Sequence, residues 1–484
     1  MYKTKIIMKE QSGYRYLFKN IGLLTLSSFA TKLISFFLVP LYTNILTTSE
    51  YGTNDLFIAT VGVLIPILTL NIQEAVLRFS LDKNIGREAI VSISIKYFVI
   101  SNAIVAIGLV INQIFQFSST IANYSIFFFL IFFVQALSGI ITCYIRGIDK
   151  VADLSISSVI TSIVTIACNI LFLVVLKWGL IGYMTANIIG PAVQCLYLIV
   201  RSRFVNDIKL QKFDSEEKEM IAYSKPLIVN SIAWWINNVS DRYVIVSFCG
   251  LAENGIYSIA GKIPSILNIF QTIFNQAWTL SAVKDYDPDD RNGFFANTYA
   301  AYNCLMTIVC SFIILSDKLL ANALYAKDFY RAWIYVPWLT IAILFGALSG
   351  YLGGFFSATK DSKVFARSTM VGAVCNLILN FTLTPIIGAM GAAIATVISF
   401  ALVWAIRLIH SRKYINMKIR IIRDCMVYLL LIIQSIILLV LEGAALYFLE
   451  IGIFGVIVAM NWQEIISVVA KFSNITHNRL NRED

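Results

Sequence analysis

The feature that most constrains this chain is the recurrence of apolar runs as long as a membrane-spanning helix. Such a helix needs roughly 20 mostly apolar residues. About fourteen segments of that kind follow one another, near 20–46, 55–78, 90–113, 122–146, 154–176, 179–200, 222–249, 255–280, 294–316, 332–356, 364–386, 388–409, 424–441 and 443–461. A soluble chain of 484 residues would divide into several domains, yet 58% of the residues here are hydrophobic and only 14% are charged. That balance excludes ordinary soluble globular classes and predicts an all-α integral membrane protein.

Basic residues set the expected orientation. The start of the chain (Lys3, Lys5, Lys9, Arg15, Lys19), the 201–225 connection and the 407–423 connection concentrate Lys and Arg. By the positive-inside rule these face the cytoplasm. The alternate connections 47–54, 113–122, 249–254 and 386–388 contain no Lys or Arg, whereas Lys177 and the 316–331 connection (Lys318, Lys327, Arg331) run against the pattern. An even number of spans with both termini cytoplasmic, in the cell (inner) membrane, fits this distribution. The first segment is too long for a signal-peptide core and lacks a small-residue cleavage pattern, so the expectation is an uncleaved anchor. A net charge of +10 is explained by these loops, which can also touch anionic lipid, and requires no nucleic acid. The eight cysteines form no CxxC pair and fall in or beside apolar segments, as small core residues do. Neither His410 nor His477 has a ligand cluster in sequence, so no metal site is expected.

The chain also repeats itself. Ser49-Glu50-Tyr51-Gly52 is echoed by Ala252-Glu253-Asn254-Gly255, and Ala136-Leu137-Ser138-Gly139 recurs as Ala347-Leu348-Ser349-Gly350. Cys168-Asn169 returns as Cys375-Asn376, and Gly179, Gly182 and Ala186 return as Gly388, Gly391 and Ala395. The order is kept throughout, so a six-helix unit is used twice with two further helices appended. Six is even, so the two copies enter the membrane from the same side as a parallel repeat. The expected domains are an N-terminal lobe over 1–200, a charge-dense cytoplasmic linker over 201–220, a C-terminal lobe over 221–410, two extra helices over 411–470 and a cytoplasmic tail over 471–484. Prolines 40, 66, 191, 226, 264 and 337 lie in apolar segments, where each favours a kink. The glycine runs read as close helix packing.

Polar residues inside the apolar segments are the candidate functional groups. Lys32 lies near the centre of the first segment, on one helical face with Ser28, Thr31 and Ser35. A charge there costs at least roughly 3 kcal/mol and is retained for a partner or a ligand. Asn230, Trp234, Asn237 and Asp241 make a polar face on the seventh segment, with Arg242 adjoining. Ser258, Lys262, Ser265, Thr272, Asn275 and Gln276 make one on the eighth. Brought to one cavity, these faces give a net positive, hydroxyl-lined site suited to phosphate or pyrophosphate. A snorkelling or structurally paired Lys32, and a purely structural Asp241–Arg242 pair, are the alternatives. Glu74 and Arg78 are spaced as an i, i+4 ion pair, with an entrance role as the alternative. Asp241 and Glu74 are the acids expected to be buried.

Leu46-Thr47-Thr48-Ser49-Glu50-Tyr51-Gly52, Ala75-Val76-Leu77-Arg78-Phe79, Ser240-Asp241-Arg242-Tyr243, Ala252-Glu253-Asn254-Gly255-Ile256-Tyr257 and Gly388-Ala389-Met390-Gly391-Ala392-Ala393 together resemble the Wzx-type flippases. These form the polysaccharide transporter branch of the multidrug/oligosaccharidyl-lipid/polysaccharide exporter superfamily, and the resemblance covers nearly the whole chain. It implies two six-helix lobes in a V shape and no enzymatic activity. The implied activity is alternating-access export of an undecaprenyl-pyrophosphate-linked oligosaccharide for O-antigen, capsule or a similar surface polysaccharide. Lys32, Ser28, Ser35, Asn237, Arg242 and Lys262 would then bind pyrophosphate and sugar. Asp241, Glu74 and Arg78 are candidates for ion coupling or gating. No cofactor is implied beyond a sodium ion or proton as coupling ion, and the implied partners are the lipid-linked glycan, membrane lipid, and polysaccharide polymerase and chain-length proteins. The last two helices would shelter the lipid tail. A cation-coupled drug exporter of the same superfamily is the alternative; a membrane polymerase fits less well, because the outer loops are short and carry no DxD.

Overall fold

A computed structural model of the chain describes residues 36–81, 85–284, 287–359 and 362–467. Ser28, Lys32 and Ser35 therefore lie outside the described residues. The described residues are mostly helical, and among them twelve helices are long and apolar enough to cross a membrane. The fold is that of an all-α multi-pass membrane protein.

The helices fall into two compact units that divide at Gly255/Ile256. The first holds α1 (Val39–Ile45), α2 (Thr48–Leu68), α3 (Ile72–Leu81), α4 (Arg87–Phe115), the short α5 (Ser119–Asn123), α6 (Ser125–Gly147), α7 (Val151–Asn169), α8 (Gly179–Ser202), α9 (Asp214–Ser224), α10 (Leu227–Val239) and most of α11 (Asp241–Ala260). The second holds α12 (Ser265–Lys284), α13 (Phe294–Leu324), α14 (Val336–Ala358), α15 (Ser362–Ile387), α16 (Ala389–Ser411), α17 (Ile421–Val440) and α18 (Gly443–Met460).

Local chemistry sets the breaks, and several differ from the sequence reading. The expected 55–78 segment is two helices, because Leu70 and Asn71 adopt positive φ between α2 and α3. The expected outer loop at 249–254 shrinks to one non-helical residue, Gly250 (φ 88°, ψ 173°), inside α11; glycine reaches that conformation without a Cβ clash. The eighth segment is broken by a turn over 261–264, so Lys262 sits in the turn and the expected continuous polar stripe does not form. The 316–331 connection starts later, since α13 continues to Leu324 and carries Lys318 within it. Among the six expected kink prolines, Pro66 and Pro191 lie inside helices. Pro40 occupies the first turn of α1 and Pro226 caps α10, positions where a missing N–H costs nothing.

In the first unit α6 is central, touching α2, α3, α4, α7 and α8, around a core that includes Phe57, Val76, Phe132, Ile141, Tyr144 and Met184. The charge-dense linker is ordered here. It folds as α9, whose Glu217 pairs with Lys96 at 2.7 Å and accepts from the Tyr97 hydroxyl at 2.8 Å. In the second unit α14 and α16 form the centre, and α13, α17 and α18 contact one another. An aromatic cluster fills this core: Trp278 stacks on Tyr351 at 4.1 Å and donates to the Tyr351 carbonyl at 2.9 Å. The repeat recurs as packing inside each unit. A Cβ on Gly139 of α6 would meet Gln73 of α3 at 2.3 Å, and one on the repeat-related Gly350 of α14 would meet Asn275 of α12 at 3.4 Å. A Cβ on Gly182 would lie 3.1 Å from Phe172 O, and one on Gly391 would lie 2.6 Å from Leu383 O, so both glycines sit against the backbone that precedes them.

Candidate functional site: a part-buried ion network in the first unit

Helix α2 begins with a capping box. Thr47 accepts from Glu50 N at 3.2 Å and Glu50 accepts from Thr47 N at 2.8 Å, which satisfies two otherwise orphaned donors. One turn later the repeated motifs meet. A Cβ on Gly52 would lie 2.0 Å from Leu251 O, and one on Gly255 would lie 1.9 Å from Thr48 O. Residues 48 and 52 match 251 and 255 at one constant offset, so the two copies of the motif cross on a local two-fold, with glycine on each side because no other residue fits. Asn254 seals the crossing from a fully buried position by donating to Gly52 O at 3.1 Å.

This crossing places Asp55 against Arg242. The Arg242 Nε donates to Asp55 Oδ2 at 2.7 Å, and its Nη1 lies 3.4 Å from Asp241 Oδ1. Nη1 also donates to Asn238 O at 3.2 Å, and Asn254 Nδ2 approaches Asp55 Oδ2 at 3.4 Å. Further contacts align α2 antiparallel to α10 and α11. Thr60 Oγ1 and Tyr243 OH are 2.5 Å apart, Trp235 Nε1 donates to Ala59 O at 2.8 Å, and Asn71 Nδ2 donates to Ser231 Oγ at 3.2 Å. Trp235 is thus a packing residue, while Trp234 remains half exposed.

The ion network changes the expected electrostatics. Arg242 is engaged by two carboxylates, so it is not a free cationic patch. Asp241 and Arg242 are paired, as the structural alternative had it, but Asp55 supplies the shorter contact. Asp55 was missed because an acid near the start of a helix is ordinary in sequence. Asn237 lies on α10 with its amide on Ala233 O at 3.0 Å. Glu74 and Arg78 share α3, but no ion pair joins them among the described residues, and Arg78 is exposed; the i, i+4 pairing expected from sequence is not formed. The acids were also undercounted: Asp317, Asp424, Glu450 and Glu464 are all buried in the second unit. Arg407 is buried over the Phe365 ring at 4.1 Å. It donates to Ser368 Oγ, Ser349 O and Thr369 Oγ1 at 3.0, 2.8 and 2.9 Å.

Twelve helices long and apolar enough to cross a membrane, with charged groups buried among them, define a multi-pass helical membrane fold among the described residues. The "Polysaccharide biosynthesis protein" family model matches residues 17–279, just over half of the chain, and the chain belongs to that family. A probable low-salt glycan biosynthesis flippase, Agl15, of Haloferax volcanii is 24% identical over 224 residues, covering 45% of this chain. The match takes in 46% of Agl15, so this chain spans about half the length of that curated relative. Among solved structures, the lipid II flippase MurJ in an inward closed conformation covers 93% of this chain and 99% of its own, with a TM-score of 0.68 at 13% identity. An inward-facing multidrug resistance MATE transporter of the MOP superfamily covers 82% and 95%, with a TM-score of 0.62 at 14% identity. These likenesses establish the fold.

Proposed function

We propose that this chain is a flippase that carries a lipid-linked oligosaccharide from the cytoplasmic to the outer leaflet of the cell membrane, with both termini cytoplasmic. The observation that carries the reading is the family match over residues 17–279, supported by the similarity to a glycan biosynthesis flippase and the fold shared with a lipid II flippase. The substrate class proposed is an undecaprenyl-pyrophosphate-linked repeat unit of a surface polysaccharide such as O-antigen or capsule. Lys32 is its pyrophosphate anchor, because a mid-segment ammonium flanked by Ser28 and Ser35 pairs strongly with a diphosphate. Arg242 is held by Asp55 and Asp241 and serves to shape the site in preference to gripping the anion. A sodium ion or proton supplies the driving force.

One observation favours a second reading. Two acids, Asp55 and Asp241, stand beside Arg242, and a cation-coupled drug exporter needs acidic groups facing a cationic substrate. The two readings separate in cells. Loss of a lipid-linked glycan flippase leaves untranslocated repeat units on the inner leaflet, and Lys32→Ala reproduces that accumulation while Lys32→Arg partly relieves it. Normal surface glycan together with sensitivity to cationic drugs would reject the flippase reading.

A further inference from the structure

Two acids in the second unit have no part in the site above. Asp317, on α13, is fully buried, and neither carboxyl oxygen has a hydrogen-bond partner among the described residues. Glu450, on α18, is also fully buried, and neither of its oxygens makes a close hydrogen bond among the described residues. The two carboxyls lie within electrostatic reach of each other on helices that touch. Each is seven residues from a helix end, Leu324 for Asp317 and Gly443 for Glu450. At 1.5 Å per residue both sit about 10 Å inside the bundle, at matching depth.

The surroundings decide what such a pair can hold. Two unpaired carboxylates buried side by side in an apolar bundle are unfavourable on two counts, desolvation and like-charge repulsion. The Lys318 ammonium lies within electrostatic reach of both carboxyls, but it stands over the Trp333 ring at 4.5 Å, makes no ion pair among the described residues, and as a single charge offsets only one of the two carboxylates. Gln434 of α17 is within hydrogen-bonding reach of Glu450, while its amide also donates to Ser311 O at 3.2 Å and its carbonyl accepts from Ser311 Oγ at 2.8 Å. The other titratable groups facing the pair are Tyr330 on the turn after α13 and Tyr447 on α18, both partly exposed. Two buried carboxyls with one amide beside them offer few oxygens to a metal cation, which is held by several at once. A proton, in contrast, turns one carboxyl into a donor for the other and removes one charge.

We propose that Asp317 and Glu450 share a proton and form a proton-binding site at the junction of α13, α17 and α18. Its coupling to export rests on the flippase reading; its proton occupancy does not. The partly exposed Tyr330 and Tyr447 mark the route by which the proton is exchanged.

The test uses full-length protein in lipid, with infrared spectra of the protonated-carboxyl stretch recorded against pH for wild type, Asp317→Asn, Glu450→Gln and the double variant. The expected wild-type spectrum shows this band at neutral pH and loses it on alkalinisation, and the double variant lacks that component. Identical spectra for wild type and double variant would overturn the proposal. So would a band removed by sodium chloride at fixed pH, which would indicate a metal cation. The amide side chains mimic the neutral carboxyl, so both single variants should fold, and failure of both to fold would also contradict a protonated pair. For coupling, in vesicles carrying labelled lipid-linked glycan, a one-unit pH gradient should shift the steady-state distribution about tenfold per proton in wild type and not in the double variant. Absence of any wild-type export would reject the flippase reading and leave the infrared result to decide proton binding.

Discussion

Replacing Asp55 with alanine removes the carboxylate 2.7 Å from Arg242 Nε and leaves the guanidinium with Asp241 at 3.4 Å and the Asn238 carbonyl at 3.2 Å. Breaking a fully buried ion pair from one side costs about 3–5 kcal/mol. Two features reduce this: the Asp55 and Arg242 side chains are 16% and 23% exposed, and Arg242 keeps a second acid. The expected loss is therefore about 2 kcal/mol, equivalent to about 4 °C in melting temperature for a unit of this size. Asp55→Asn keeps an oxygen acceptor without the charge and should lose about half as much. Asp55→Ala with Arg242→Ala should be less destabilised than the sum of the singles, by about 1–2 kcal/mol of coupling. Thermal unfolding of the detergent-purified protein, followed by fluorescence, measures all four. The reasoning fails if Asp55→Ala melts with wild type, or if the two alanine substitutions simply add.

Gly52→Ala places a methyl 2.0 Å from Leu251 O, so the two backbones must separate; a drop in stability of about 1–3 kcal/mol is expected, read as folded yield and melting temperature. Gly255→Ala should match it because its Cβ meets Thr48 O at 1.9 Å, and the double variant should cost little more than either single, since one separation admits both methyls. Arg407→Lys keeps the charge but cannot reproduce the three hydrogen bonds of the guanidinium or its stacking on Phe365. It should destabilise by about 1–3 kcal/mol in the same melting assay.

How far the sequence reached can be judged element by element. Membrane class, helical fold and family resemblance were legible because they rest on long apolar runs and on motifs spread over many residues. The repeat was legible too, and the meeting of Gly52 with Gly255 is its physical expression. Helix interruptions were not: the break at Leu70 and Asn71, and the single-residue break at Gly250, are decisions of a few backbone torsions inside runs that stay apolar. Asp55 as the partner of Arg242 lies 187 residues away, and local pattern carries nothing about that pairing. Asp317 and Glu450 differ in kind. Each is an acid within a long apolar segment, Asp317 between Ser316 and Lys318 and Glu450 between Leu449 and Ile451. Treating intramembrane acids with the weight given to Lys32 would have found both. Their convergence needed the structure.

The central claim is that this chain moves a lipid-linked oligosaccharide and uses Lys32 to hold its diphosphate. The most direct measurement reconstitutes purified protein into vesicles carrying a fluorescent undecaprenyl-pyrophosphate oligosaccharide and follows the label's exposure to a membrane-impermeant quencher. The account predicts that wild type redistributes the label between leaflets without forming new glycosidic bonds, that Lys32→Ala abolishes the redistribution while inserting normally, and that Lys32→Arg retains part of it. Unchanged translocation by Lys32→Ala would contradict the diphosphate assignment, and absence of wild-type translocation would contradict the function itself.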